Sequence, residues 1–226
     1  MPLNDEQINS IRNAISGYVF PPSAYDFIHD LPVVHQTMID LENEICANLR
    51  SENLEQIKNG LANVVYWGWA QNHGLQRVRV QGFINGITQG MLEEFRDIVA
   101  QDRVPTMRQI YDIHMPQFSG VSFVSKILMF LAPQNYCVLD AQIAKMRNDP
   151  EHAHNVLDEL TFGANETRIG VTANNHIVYN NWRQTCTRIS NDYFGNRYRC
   201  VDIERGFFAL IQGGTVDIAR GLLNNA

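Results

Sequence analysis

The sequence predicts an all-α protein. Apolar residues recur at the three- and four-residue spacing of amphipathic helices along most of the 226 residues. Only residues 76–80 and 177–179 have any strand character, and no repeat or low-complexity tract interrupts the helical pattern. A chain of this length can bury a full core as one large domain or two packed subdomains, without metal or disulfide crosslinks.

Capping signals and apolar stripes define the first helices. Asn4 predicts the start of a helix that ends at Gly17. Residues 21–32 contain three prolines and predict a turn-rich connection. An apolar stripe over residues 34–49 predicts the second helix, and the third is predicted over residues 53–73.

The rest of the chain predicts eight further helices. They cover residues 87–100, 105–113, 122–132, 141–147, 151–160, 174–190, 202–211 and 215–223. Residues 162–175 contain two glycines with several Asn and Thr residues and predict a surface loop. We expect a central helical subdomain over residues 61–160, with residues 1–60 and 161–226 forming a second subdomain around it.

Charge and hydropathy restrict the class of protein. The net charge is −6, and residues 1–60 carry nine acids against three bases, which argues against nonspecific coating of nucleic acid. No window approaches the roughly 20 apolar residues of a membrane span. Without a secretory leader pattern either, we expect a cytoplasmic protein with no membrane partner.

The thiols and imidazoles do not predict a metal site. The four cysteines, Cys46, Cys137, Cys186 and Cys200, are scattered, with no C-x-x-C pair and no histidine at zinc-ligand spacing. His152 and His154 form an H-x-H pair for which the spacing supplies no third ligand, so we interpret them as surface residues. We therefore expect reduced, mostly buried thiols, no metal and no cofactor.

One lysine in an apolar helix is the most informative feature. The helix predicted over residues 122–132 is apolar around most of its circumference, and Lys126 shares the remaining narrow stripe with Ser122 and Met129. Lys126 can open into a cleft, where burial favours the neutral, nucleophilic amine. Alternatively, its stem extends past the apolar surface and its ammonium is solvated. The sequence leaves both possibilities open.

An aspartate follows this helix after a short link. Pro133 ends the helix, residues 136–139 predict an extended segment, and Asp140 stands where a side-chain oxygen would cap the next helix. Asp140 is therefore either a structural N-cap or a carboxylate that takes part in chemistry.

This arrangement resembles the helix-hairpin-helix DNA glycosylase superfamily, and more narrowly the 8-oxoguanine glycosylase-like bacterial proteins. Residues 118–122, Phe-Ser-Gly-Val-Ser, are similar to the family hairpin Leu-Pro-Gly-Val-Gly. Residues 136–140, Tyr-Cys-Val-Leu-Asp, resemble the family's extended link and its aspartate. Residues 140–146 are similar to the Asp-Gly-Asn-Val-Lys-Arg-Val continuation of adenine glycosylases. The resemblance covers about thirty residues of the chain.

The resemblance implies two closely packed helical subdomains with a cleft between them, and DNA as the partner. It implies that Asp140 is a catalytic carboxylate and that the hairpin binds a DNA phosphate through Ser119, Gly120, Val121 and Ser122. The family lysine usually precedes the aspartate by about eighteen positions, which is Ser122 here. Lys126 lies one helical turn further on. Either Lys126 reaches the cleft as a second catalytic residue, or the enzyme relies on Asp140 alone.

Several residues are candidates for binding an extruded base. An aromatic ring would stack on the base, and an amide or imidazole would read its edge. Core packing or a helix end would explain the same residues equally well. The candidates are Trp67, Trp69, Gln71, His73, Phe207 and, beside the lysine, Ser122.

The sequence therefore predicts a DNA glycosylase, with or without lyase activity, that removes a damaged or modified base by cleaving its N-glycosidic bond. Two alternatives remain open. One is a non-catalytic helix-hairpin-helix protein that holds DNA or another partner. The other is an unrelated helical bundle in which Asp140 only caps a helix.

Overall fold

The structure, a computed structural model, describes residues 2–27, 29–100, 104–149, 154–163 and 168–226. Within these residues there are ten α-helices, one 3₁₀ helix and one two-stranded antiparallel sheet, so the protein is mostly helical, as predicted. None of the helices in the described ranges is both long and apolar enough to cross a membrane.

The helices and strands follow one another in a simple order. They are α1 (Asp5–Ser16), β1 (Ser23–Asp26), β2 (Leu31–Val34), α2 (Met38–Leu49), α3 (Leu54–Gly68), α4 (His73–Gly86), α5 (Gln89–Val99), α6 (Met107–Asp112), α7 (Val121–Leu131), the 3₁₀ helix (Ile143–Met146), α8 (Ala173–Phe194), α9 (Cys200–Gln212) and α10 (Val216–Asn225).

Contacts divide the chain into two units. The outer unit combines Met1–Val19 with Pro133–Ala226, and the middle unit is Phe20–Ala132. This division differs from the predicted boundaries at 61 and 160. The reason lies in packing, since α2 packs against α3 and α7, which brings the segment before residue 61 into the middle unit.

Local capping explains the helix starts that the sequence predicted. The Asn4 side chain accepts a hydrogen bond from Gln7 N, and the Gln7 side chain accepts one from Asn4 N, which completes a capping box for α1. The Asn53 side chain accepts from the backbone N–H groups of Glu55 and Gln56 at the start of α3. Both predicted starts are confirmed.

The prediction for the second helix was too long at its start. Val34 lies in β2, paired with Ser23 of β1, and is not part of α2. Thr37 and Asp40 form a capping box that begins α2 at Met38. A capped N-terminus leaves no continuous helix through residues 34–37.

The third predicted helix was too long at its end, and a helix that the sequence did not predict follows it. α3 ends at Gly68, and the Asn72 side chain accepts from Leu75 N to begin α4. Residues 76–80 therefore lie in α4 and residues 177–179 in α8, so the strand character read from both segments was wrong. Short apolar alternations do not decide between strand and helix without tertiary context.

Two later segments also differ from the prediction. The helix expected at 141–147 is a 3₁₀ turn over Ile143–Met146. Residues 154–160, from the helix predicted at 151–160, form turns, while residues 150–153 lie outside the described part of the chain. The loop predicted over 162–175 is confirmed only as far as residues 162–163 and 168–172, because α8 starts at Ala173 and residues 164–167 are not described.

The middle unit is built around α3 and α7. α3 packs against α2, α4, α5 and α7, and α7 also contacts α2 and α6. The two central helices approach closely at Gly68, where a Cβ would lie 2.6 Å from Phe123 Cε1 and 3.2 Å from Lys126 Cδ. The absence of a side chain at Gly68 thus lets α3 approach the residues around Lys126.

The outer unit is built around α9. This helix packs against α1, α8, α10 and the 3₁₀ helix. Trp182 of α8 and Phe207 of α9 are fully buried, with ring centroids 5.4 Å apart. This packing holds the 3₁₀ helix, and with it Asp140, against the core of its own unit.

Candidate functional site

Lys126 is buried in α7. The residue is only 5% exposed, so its ammonium does not extend into bulk solvent. Nζ donates hydrogen bonds to Ser122 Oγ at 3.2 Å and to Ser122 O at 3.3 Å, one turn earlier. It also lies 5.2 Å from the centre of the Phe123 ring, within the range of a cation–π interaction.

An aromatic row adjoins this lysine within the middle unit. The Trp69 and Phe123 rings are stacked, with centroids 5.9 Å apart and an angle of 28° between their planes. Arg79 Cζ lies 5.3 Å from the Trp69 ring centre. The structure therefore brings together three predicted site residues, Trp69, Ser122 and Lys126. It adds Phe123, which the sequence showed only as an apolar flank of the helix.

The other predicted base-binding residues of this region do not join the row. Trp67 is 4% exposed and packs between Phe20 and Phe130, with ring centroids at 4.9 and 5.2 Å, so we assign it to the core. Gln71 and His73 are exposed at the turn between α3 and α4.

The predicted phosphate-binding hairpin connects α6 to α7. Gly120 is the N-cap of α7 and has no side chain to accept from the first-turn N–H groups. Ser119 is exposed, Ser122 is half-buried and the Val121 side chain is buried, so Val121 would contact a ligand only through its backbone. The segment thus presents backbone amides at the positive end of an 11-residue helix.

Asp140 follows the link (residues 136–139) in the outer unit. The carboxylate is half-buried, and its Oδ1 accepts from Gln142 N at 2.9 Å and from Ile143 N at 3.2 Å. Its backbone carbonyl accepts from Ala144 N at 2.9 Å. These bonds cap the turn that leads into the 3₁₀ helix, whose own N-cap is Gln142, and they fix the orientation of the carboxylate.

The 3₁₀ helix after Asp140 is short, and a side chain of α10 binds two carbonyls at its end. Arg220 of α10 donates from Nη2 to Lys145 O at 3.1 Å and from Nε to Arg147 O at 3.0 Å. Arg147 itself has an extended backbone. The chain therefore leaves the helix after one 3₁₀ turn. The contacts of Arg220 with these carbonyls join distant parts of the sequence, so local sequence does not reveal them.

Tyr18 lies near Glu204 and Arg205 in the outer unit and interacts electrostatically with Asp140. Burial raises the pKa of Tyr18, and the negative charges of Glu204 and Asp140 raise it further, while the charge and hydrogen bond of Arg205 act in the opposite direction. Glu204 and Arg205 are 4% and 5% exposed. Tyr18 therefore remains a neutral phenol at physiological pH, close enough to Asp140 to interact electrostatically with it.

The sequence did not predict this cluster. Its only signal is the run of charged residues Asp202, Glu204 and Arg205 at the start of the otherwise apolar helix α9. Arg205 Nη1 lies 3.7 Å from Asp202 Oδ1, and its Cζ lies 5.3 Å from the Tyr18 ring centre. Phe207, the neighbouring stacking candidate, is fully buried against Trp182, and we assign it to the core.

Three of the four cysteines lie together. Cys137, Cys186 and Cys200 are buried and free, and their Sγ atoms all lie within 4.8 Å of one another. Burial raises the pKa of Cys137 and Cys186, whereas hydrogen bonds from these two thiols lower the pKa of Cys200. Cys46 is half-buried in the middle unit, so the prediction of free, mostly buried thiols is confirmed, but their clustering was not foreseen.

The predicted histidine pair can be followed at one position only. The His154 side chain is 83% exposed, with Nδ1 3.7 Å from Asp158 Oδ2. His152 lies outside the described residues. His154 is therefore a surface residue, as predicted.

Comparisons with known proteins do not identify a relative. No protein-family model matches the chain, and neither does any curated protein or any solved structure. A function has to be inferred from the residues of the two units themselves.

Proposed function

We propose that this protein is a DNA glycosylase, which removes a damaged or modified base from DNA by hydrolysing its N-glycosidic bond. One observation carries the proposal. Asp140 follows a link without helix or strand and is fixed by two backbone N–H groups at the start of a helical turn. Along the chain this link comes after α6, the hairpin and α7. This succession of elements resembles that of the helix-hairpin-helix glycosylases.

The chemistry of base excision requires a fixed carboxylate. Breaking the bond between the sugar and the base builds positive charge on the sugar, which a nearby carboxylate stabilises electrostatically. The same carboxylate can accept a proton from the water that attacks the sugar. Because Gln142 N and Ile143 N hold Oδ1, Asp140 need not be reoriented when the substrate binds.

The hairpin offers a chain of negative net charge a way to bind DNA without a basic surface. The N-terminus of α7 presents backbone amides after Gly120, and such amides hold a phosphate without a basic side chain. We assign Ser119, Gly120, Val121 and Ser122 to one phosphate of the DNA backbone. This contact positions the duplex and carries no sequence information.

We assign to Trp69 and Phe123 a stacking contact with a base of the bound DNA. Both rings are half-buried and stacked, which makes them the part-exposed aromatic surface beside Lys126. A base extruded from the duplex is read by stacking against such rings.

We assign a positioning role to Lys126. Its low exposure and its two hydrogen bonds to Ser122 support an amine that organises α7 more than one that attacks the sugar. A nucleophilic lysine would instead form a Schiff base and cleave the strand. We therefore propose hydrolytic base removal, with Asp140 as the catalytic residue and without strand cleavage.

Duplex oligonucleotides test the proposal directly. The panel carries 8-oxoguanine, uracil or an alkylated base at one position, and alkali converts any abasic product into a strand break. We expect product from at least one duplex, and the same product from Asp5→Asn, which changes an exposed acid in the first turn of α1. No product from any duplex, together with salt-sensitive DNA binding, would favour the non-catalytic alternative.

A further inference from the structure

The three clustered thiols come from three separate elements of the outer unit. Cys137 lies in the link, Cys186 lies in α8 and Cys200 is the first residue of α9. All three are buried, and their Sγ atoms lie within 4.8 Å of one another. Three ligand atoms of one kind, presented by three elements to one point, form a site whose geometry the fold maintains.

One face of α8 fixes the link beside Cys186. Tyr179 Oη donates to Cys137 O at 2.9 Å, and Trp182 Nε1 donates to Val138 O at 3.0 Å. Tyr179, Trp182 and Cys186 are spaced by three and four residues, so they share one face of the helix. The carbonyl groups of Cys137 and Val138 are therefore both held against the helix that carries the second thiol.

The start of α9 fixes the third thiol. Cys200 N donates to Gln134 O and Val201 N donates to Pro133 O, each at 3.2 Å. Cys200 Sγ lies 3.4 Å from Arg183 O. These contacts hold the third sulfur at the first residue of a 13-residue helix.

The sulfur separations fit one metal ion. With metal–sulfur bonds of about 2.3 Å, three sulfurs in a plane around an ion lie about 4 Å apart. The Sγ separations are at most 4.8 Å and so exceed this value by no more than about 0.8 Å, which side-chain movement can supply. Thiolate ligands select soft ions such as Cu(I) and zinc.

The number of ligands favours Cu(I) over zinc. Structural zinc sites almost always have four ligands. Among the described residues, the group contains three cysteines and no histidine or carboxylate as a fourth member. We propose that Cys137, Cys186 and Cys200 bind one Cu(I) ion in a buried three-sulfur site.

Titration of the reduced chain against a competing chelator tests this site. Under anaerobic conditions, the protein receives Cu(I) in the presence of bathocuproine disulfonate, and bound copper is counted per chain. We expect one retained Cu(I) with ultraviolet sulfur-to-copper absorption, and loss of both in Cys186→Ser and in Cys137→Ser. Cys46→Ser is the matched control and should retain the full equivalent.

Several outcomes would overturn the proposal. They are complete transfer of copper to the chelator, equal retention by wild type and Cys186→Ser, or loss of copper in Cys46→Ser. Retention of zinc in preference to Cu(I) would overturn the choice of ion. If the serine variants fail to fold by circular dichroism, X-ray absorption of the copper-loaded wild type decides, because three sulfurs at about 2.3 Å support the site and a nitrogen or oxygen shell contradicts it.

Discussion

Lys126 Nζ donates a 3.2 Å hydrogen bond to Ser122 Oγ, one turn earlier in α7. In the proposed alignment with the helix-hairpin-helix glycosylases, Ser122 occupies the position of the family lysine. The hydroxyl therefore stands where an amine would be expected, and the amine of the next turn is bound to it. This pairing supports the part of the proposal in which base removal proceeds without a covalent intermediate.

Borohydride trapping distinguishes the two roles of Lys126. Because the amine is 5% exposed and hydrogen-bonded within its own helix, we expect no covalent adduct between the wild-type protein and a substrate duplex. The abasic strand should stay intact until alkali is added. An adduct that forms with wild type and disappears in Lys126→Ala would contradict the positioning role and establish a lyase.

The bond between Lys126 and Ser122 has a measurable energy. Ser122→Ala removes one acceptor from a buried ammonium, and we expect it to lower the free energy of unfolding by about 1.5 kcal/mol. In a Lys126→Met background, which keeps the apolar stem without the charge, the same change should cost less than about 0.5 kcal/mol. Urea denaturation of the four proteins of this cycle gives the coupling, and equal costs in both backgrounds would mean that the bond contributes nothing.

Gly68 tests the packing that holds Lys126. Gly68→Ala places a methyl carbon 2.6 Å from Phe123 Cε1, so we expect a loss of about 1–3 kcal/mol in the free energy of unfolding. Gly90→Ala is the control in α5, because a Cβ there meets nothing within 4 Å. Its stability should be unchanged or higher. Equal stability of the two variants in urea would show that α3 and α7 do not approach as closely as described.

The buried phenol of Tyr18 predicts a loss of stability at alkaline pH. Its pKa is raised in the folded state by burial, so the folded state keeps the proton that the unfolded chain loses above about pH 10. Stability from this group is complete below that pH and falls as the pH rises, by up to about 1.4 kcal/mol per pH unit. Tyr18→Phe should flatten the decline of the unfolding free energy between about pH 10 and 11. A slope identical to that of wild type would show that Tyr18 is not buried as described.

Local signals predicted the parts of the fold that depend on a few neighbouring residues. Asn4 and Asn53 cap their helices within three residues, so the starts of α1 and α3 could be read from the sequence. The strand pair β1–β2 could not, because Asn63 of α3 supports it from a distance. Its amide accepts from Tyr25 N at 2.6 Å and donates to Tyr25 O at 3.2 Å.

The candidate site likewise combines contacts that local sequence predicts with contacts between residues far apart in the sequence. The capping bonds of Asp140 lie within three residues and were predicted. Its electrostatic interaction with Tyr18 was not, because it joins residues far apart in the sequence. Phe207 was predicted to stack on a base but lies in the core. The sequence could not show this, because an apolar residue next to charged ones carries no signal of its own burial. The thiol cluster was not predicted either, because its members come together only in the folded chain.

The most direct test of the central claim is the single-turnover rate of base release by Asp140→Asn. The amide oxygen of asparagine can still accept the N–H bonds of Gln142 and Ile143, so this variant should fold and bind DNA as wild type does. It lacks the negative charge, and we expect base release at least about 100-fold slower on the duplex that wild type cleaves. Base release by Asp140→Asn at the wild-type rate would contradict the catalytic role of this carboxylate.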